Sequence, residues 1–323
     1  MRRYNIPVFI PHEGCPHDCL FCNQRKITGV VSTVTPESVS QTVREYLSYL
    51  PNQDRYVEVA FFGGSFTGLP LGLQEKFYQA ANAFEAQIDG IRLSTRPDYI
   101  NPEVLSLAKR YGVTMIELGA QSAEDAVLSA NHRGHTFQST CAAVKQIREA
   151  GIGVGLQMMT GMYGSNPEWD RKSAEKIADM KPDCVRIYPV LVLKDTALEK
   201  LWRQGHYEPQ TLEEAVELAK KLLLLFRERE IPVIRLGLHA GEDLRQEGTV
   251  LAGPFHPAFG ELVESRIWRD TIEEALKKTN PPPALWQVEA FQHEVSKVIG
   301  HKRCNVEYFQ EKYGVTLFVK TKV

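Results

Sequence analysis

Residues 12–26 read HEGCPHDCLFCNQRK and place Cys15, Cys19 and Cys22 within eight residues, spaced C-x3-C-x2-C. Thiolates are soft ligands suited to zinc, copper(I) or iron–sulfur clusters. A structural zinc site takes four protein ligands and disulfides take cysteines in pairs, so three is an odd number for either. A cubane [4Fe–4S] cluster takes one thiolate per iron, and three cysteines leave one iron open to a small molecule. Phe21, just before the last cysteine, is placed to screen such a cluster from water. A zinc site completed by His12 or His17 competes with this reading, although His17, between two of the cysteines, is an awkward fourth ligand. Three metal-free core cysteines are the plainest alternative.

Further candidates follow apolar runs. In FFGGSFTG, the pair Gly63-Gly64 lets backbone approach a ligand that a Cβ would block, or simply makes a tight turn. LSTRPDYI brings Ser94 as a hydroxyl donor and Arg96, whose fork suits a carboxylate; the competing reading has Arg96 exposed and held by Asp98. ELGAQS offers Glu117 and Gln121. In NHRGHT, His132 and His135 flank Arg133 and read as structural. Gln157 and Met159 end another apolar run, with Met159 more at home in a core. VRIYPV carries Arg186 and Tyr188.

These groups need a frame. Strand patterns at 6–10, 57–62, 90–95, 113–119, 153–159 and 184–190 are near-continuous apolar runs, as in parallel strands covered on both faces. Amphipathic helices at 36–50, 70–87, 102–111, 124–130 with 136–150, and 168–180 alternate with them. Thr35 and Pro36 mark one helix start. Repeated β-then-α units predict a partial or near-complete parallel (β/α) barrel, its active face at the carboxyl ends of the strands. A helix at 210–229 and a strand at 231–239 continue the pattern, and a helix near 261–279 is stopped by NPPP. The expected division is a barrel at 1–240, a linker and covering helix at 241–283, and a small α/β appendage at 284–323.

A net charge of −2 excludes a bulk basic nucleic-acid binder, so any such contact must come from a local patch. No run approaches the length of a membrane span, and the start of the chain reads as a strand rather than a signal peptide. Six cysteines, three of them scattered, suit a reducing compartment, hence a cytoplasmic protein without a membrane partner.

The cysteine motif after the first strand of such a barrel resembles the radical S-adenosylmethionine (SAM) superfamily. PHEGCPHDCLFCNQRKITG, FFGGSFTGLP, LSTRPDYI, ELGAQS, NHRGHT and VRIYPVLVLKDTALEKLWRQGHY together resemble the radical-SAM half of the Elongator catalytic-subunit family, in order over about residues 4–240. The resemblance implies that Cys15, Cys19 and Cys22 hold a [4Fe–4S] cluster whose fourth iron takes SAM. An electron donor would reduce it, and the radical released from SAM would take hydrogen from a substrate. It further implies that Gly63, Gly64 and Ser65 bind the SAM amino group, with Ser65 replacing a commoner acid. By the same resemblance Ser94 and Arg96 fall to the SAM or substrate site, Arg133 to the cofactor carboxylate, and Gln157 and Met159 near the adenosine. From their place at the strand ends, Gln121 is a further cofactor candidate, and Glu117, Arg186 and Tyr188 lie on the substrate side. Relatives commonly have lysine at Arg186, so a shared substrate does not follow.

That family pairs its radical-SAM domain with an acetyltransferase domain and modifies the wobble uridine of transfer RNA. The roughly 80 residues beyond the barrel are too few for an acetyltransferase. VIGHKRCNVEYFQEKYGV instead resembles a KH-type nucleic-acid module, with Arg303 where the second loop glycine would stand. Lys297, Lys302 and Arg303 are its candidate RNA contacts, against a plain packing role for the appendage. The expectation is a radical SAM enzyme acting on RNA, with a transfer-RNA base as its target. A radical enzyme on a protein or small molecule, and a non-catalytic iron–sulfur or zinc RNA binder, are the alternatives.

Overall fold

The structure is a computed structural model that describes residues 2–10, 18–23, 34–51, 53–238, 244 and 246–322. Cys15, His12 and His17 lie outside the described residues. Seven parallel strands pair in sequence order: β1 (Arg2–Ile10), β2 (Arg55–Gly63), β3 (Gly90–Thr95), β4 (Val113–Gln121), β5 (Gly153–Thr160), β6 (Cys184–Pro189) and, beyond the short β7 (Val192–Leu193), β8 (Val233–Leu236). The sheet runs from β1 at one edge to β8 at the other and curls into a half-barrel. The expected barrel is therefore the partial kind.

Helices between the strands cover the convex face. Thr35 accepts from the Ser38 backbone and opens Pro36–Tyr49; Asn101, Thr136, Asn166 and Thr211 cap later helices in the same way. Each such cap contributes about 1 kcal/mol. Ile6, Val8, Val57, Val59, Phe61, Ile91, Leu93, Ile116, Leu118, Val154, Leu156, Val185 and Ile187 are buried beneath Val39, Val43, Phe77, Ala143, Ile147, Ile177, Leu222 and Phe226. The sequence had suggested strands apolar on both faces. Alternate positions instead present Glu58, Arg92, Glu117, Gly155 and Arg186 on the other face. An open half-barrel leaves that concave face uncovered by helices, so it can hold polar chemistry. The helix Ala197–Arg203, capped by Thr196, was not anticipated.

Beyond the sheet, β9 (Val250–Ala252) pairs antiparallel with β7. The helix Phe259–Leu276 then serves two packing units. Its first turns set Phe259 and Val263 against Ala215, Ala219 and Leu223 of the helix Leu212–Glu228. Its last turns set Ile272 and Leu276 against Val288, Val298, Phe309 and Leu317 of the C-terminal unit. That unit pairs β10 (Leu285–Phe291) in parallel with β11 (Thr316–Lys322), with helices Val295–Ile299 and Cys304–Tyr313 between. Buried Asn305 pins it, its amide donating to the Ser265 carbonyl at 3.0 Å and the Val298 carbonyl at 3.1 Å. Among the described residues no helix is long and apolar enough to cross a membrane.

Candidate active site

The cysteine-bearing segment lies at the carboxyl end of the sheet. The Cys22 N–H donates to the Cys19 carbonyl at 3.0 Å, closing a turn that carries both sulfurs. The turn is held on two sides. The Leu20 N–H donates to the Asn131 carbonyl at 3.3 Å, and its carbonyl accepts from the Leu198 N–H at 2.8 Å. Leu20 is buried with Met159, Met162, Val190 and Leu198, and Phe21 and Tyr188 pack against that cluster. Asn23 donates to the Lys194 carbonyl at 3.0 Å. The helix at 197–203 thus acts as a buttress for the cysteine turn.

Arg133 reaches this turn from beyond β4. It is buried, and its Nη1 donates to Cys19 Sγ at 3.2 Å while Nη2 donates to the Gly119 carbonyl at 2.9 Å. His132 before it takes a positive φ of 55°, which turns the chain so that Arg133 points inward. His135 is buried, with the Ala120 backbone, Arg133, Arg96 and Asp98 around its ring. Burial, then the neighbouring guanidiniums of Arg133 and Arg96, push its pKa down to about 4.

The Gly63-Gly64 turn has a local cause. Gly63 has φ +106°, and a Cβ there would lie 2.7 Å from the Ile10 carbonyl oxygen. The Gly64 N–H donates to that same oxygen at 2.7 Å, extending the β1–β2 ladder. Ser65 is buried, its hydroxyl 2.8 Å from Thr95 Oγ1 and accepting from the Arg96 N–H at 3.3 Å. Arg96 is buried rather than exposed. It grips Asp98 with Nε and Nη2 at 3.0 and 2.9 Å and also donates to the Arg133 carbonyl.

A chain of buried charge crosses the concave face. Arg92 Nε and Nη2 donate to Glu58 Oε2 at 3.0 and 2.8 Å, and Nη1 donates to Glu117 Oε1 at 2.8 Å. Arg186 donates to both oxygens of Glu117, and its Nη1 lies 3.4 Å from Tyr188 Oη. Its guanidinium also lies 5.2 Å from the centre of the Phe62 ring. Burial opposes ionisation of Glu117, but Arg186 and Arg92 outweigh it and hold the carboxyl below its ordinary range. Two carboxylates against two guanidiniums make the chain self-neutralising, which is what a buried set of charges requires. Gly155 makes room for it, since a Cβ there would lie 2.8 Å from Glu117 Cγ. Gln157 donates to Gln121 Oε1 at 3.2 Å nearer the mouth. Ser94 pairs in register with Glu117.

The fold thus joins Cys19 to Arg133, Arg96 to the Arg133 backbone, Ser65 to the Arg96 backbone, Gln121 to Gln157, and Glu117 to Arg186 and Tyr188. Lys297, Lys302 and Arg303 belong to the C-terminal unit: Lys302 and Arg303 are exposed, and Lys297 lies 4.0 Å from Glu264. Glu58 and Arg92 escaped the sequence reading. Their signal was there in VEVAFF and GIRLST, each with a lone charge in the middle of an apolar strand.

Comparison with known proteins agrees with this layout. The Radical SAM superfamily matches residues 9–177, and the Radical_SAM C-terminal domain matches residues 182–269. The chain belongs to the radical SAM superfamily, whose members use a [4Fe–4S] cluster and SAM, and it is an enzyme of that class. It is 28% identical to the tRNA uridine(34) acetyltransferase of Methanocaldococcus jannaschii over 254 residues, 66% of this chain and 47% of that protein. It is 30% identical to Elongator complex protein 3 of Saccharomyces cerevisiae over 203 residues, 56% of this chain and 36% of that protein. The chain spans about half or less of the length of these relatives. The solved archaeal Elp3 of Methanocaldococcus infernus shares the fold with a TM-score of 0.66 at 22% identity, covering 83% of this chain and 63% of that one. Coproporphyrinogen III oxidase of Escherichia coli, a radical SAM enzyme, follows at 0.51 and 15%, covering 71% of this chain and 53% of that one.

The described residues fit the cofactors of this superfamily. Two soft sulfurs share one turn, and a buried guanidinium donates to one of them.

Proposed function

We propose that the chain uses radical SAM chemistry to modify RNA, with a transfer-RNA base as the target. The observation that supports the radical chemistry best is the contact of buried Arg133 with Cys19 at the carboxyl end of the sheet. In this reading Cys15, Cys19 and Cys22 hold the cluster, and Phe21 packs over the turn. Gly63, Gly64 and Ser65 shape the wall facing the SAM amino group. Ser94, Arg96, Gln121 and Gln157 line the cofactor's berth. Arg133 neutralises charge on the Cys19 sulfur, and Glu117 holds Arg186 and Tyr188 toward the substrate. Bound there, cluster and SAM supply a carbon-centred radical able to take hydrogen from an unactivated position.

The RNA assignment rests on the likeness to tRNA uridine(34) acetyltransferases and Elongator complex protein 3. An electron donor is required, and a reducing cytoplasm suits the reading, since no disulfide joins the described cysteines.

The test is anaerobic. The protein is reconstituted with iron and sulfide, given SAM and dithionite, and assayed for 5′-deoxyadenosine with and without bulk transfer RNA. The expected result is formation that transfer RNA stimulates and Cys19→Ala abolishes. Formation indifferent to RNA would move the substrate to a protein or small molecule. No formation despite about four irons per chain would favour a binding protein.

A further inference from the structure

The outer face of the β10–β11 sheet carries a second feature. Side chains alternate across a strand, and the register pairs Leu285 with Thr316, Gln287 with Phe318, Glu289 with Lys320 and Phe291 with Lys322 on this one face. Leu285, Phe291 and Phe318 are 56%, 52% and 50% exposed, unusual for large apolar groups on a small unit. The Phe291 ring is stacked on His293 at 5.9 Å and 12°, and the Lys322 ammonium lies 5.9 Å from its centre. Residues 285–322 carry six Lys or Arg against four Asp or Glu, whereas the whole chain is at −2. The unit is therefore mildly basic, while residues 1–240, with 27 Lys or Arg against 28 Asp or Glu, are near neutral.

We propose that this face binds unstacked nucleotides of RNA, with bases on Phe291 and Phe318 and phosphates on Lys320 and Lys322. The inference rests on the RNA reading above and locates a contact for it away from the barrel mouth. Exposed aromatics on a sheet, interleaved with lysines, serve stacking and backbone contact together. The Lys320–Glu289 pair at 3.7 Å does not block this, because exposed ion pairs contribute little and exchange readily. A second copy of the chain is the competing occupant, and the test below separates it from RNA. The face differs from the Gly300–Arg303 turn that bears Lys302 and Arg303, so the two candidate surfaces are separable.

The experiment uses the full chain and a fluorescein-labelled oligouridylate, with bulk transfer RNA as competitor, read by anisotropy. Phe291→Ser and Phe318→Ser are each expected to weaken binding by about tenfold, and Phe318→Trp to preserve it. Lys320→Glu with Lys322→Glu should weaken binding and flatten its salt dependence. If a serine variant melts early, that lysine pair carries the test. Wild-type affinity in the Phe291→Ser/Phe318→Ser double variant and in the lysine pair overturns this surface while leaving the RNA reading intact. A wild-type protein that binds neither RNA overturns both. A wild-type dimer that the double variant splits, with RNA affinity unchanged, reassigns the face to self-association.

Discussion

Arg133 Nη1 donates to Cys19 Sγ at 3.2 Å, joining residues 114 positions apart in the chain. The contact brings a fixed positive charge to a sulfur that also lies 3.9 Å from the His132 carbonyl. Hydrogen bonds to cluster sulfurs tune potential and retention, and loss of such partners costs about 10- to 100-fold in affinity or activity. Arg133→Met is therefore expected to lower iron retention under chelator challenge and to shift the reduction potential downward in an electron paramagnetic resonance titration. Unchanged retention and potential would reduce Arg133 to a packing role.

Glu117 is the hub of the buried charge chain. Glu117→Gln keeps the shape but strands the guanidiniums of Arg92 and Arg186 without full compensation, an expected loss of about 3–5 kcal/mol in denaturant unfolding. Adding Arg186→Met should recover part of it, because the two sites are coupled. The same carboxyl has a folded pKa below its ordinary value of 4.5. Its stabilisation is complete above that value and is lost as pH falls through the folded pKa. Glu117→Gln should therefore flatten the acid limb of the stability curve.

His135 gives a separate pH signature. Its pKa is about 4 in the fold against 6.5 ordinarily, because burial and then Arg133 and Arg96 disfavour the charged ring. With the folded value depressed, the neutral ring contributes fully above pH 6.5, and stability falls as pH drops from 6.5 toward 4. The span corresponds to roughly 3 kcal/mol. His135→Leu should remove the slope in that window; an unchanged slope would assign it to other groups.

Gly63→Ala confronts two costs at once, a φ of +106° and a Cβ 2.7 Å from the Ile10 carbonyl. An expected destabilisation of about 1–3 kcal/mol should appear in thermal unfolding. Because β1 leads into the cysteine segment, reconstituted iron content should fall with it. Alanine tolerated with full iron loading would show that β1 can shift without consequence.

Much of this protein was legible in its residues. Helix starts at Thr35 and Pro36, strand positions from β1 to β6, and the Cys19–Cys22 turn at a strand end all follow from local chemistry: capping hydroxyls, apolar runs and ligand spacing. Tertiary structure alone decided which face of each strand met helices and which stayed concave. An apolar run hides a lone Glu58 or Arg92 until the sheet curls and sets them 2.8 Å apart. It also decided that Ser65 turns its hydroxyl to Thr95, and that Arg96 is buried against Asp98 and the Arg133 backbone. The exposed ring face at Phe291 and Phe318 likewise emerges only from the parallel register of β10 and β11. Local sequence fixes dihedrals and periodicity over a few residues, whereas contacts across 30 to 114 positions depend on how sheet curvature brings strand ends together.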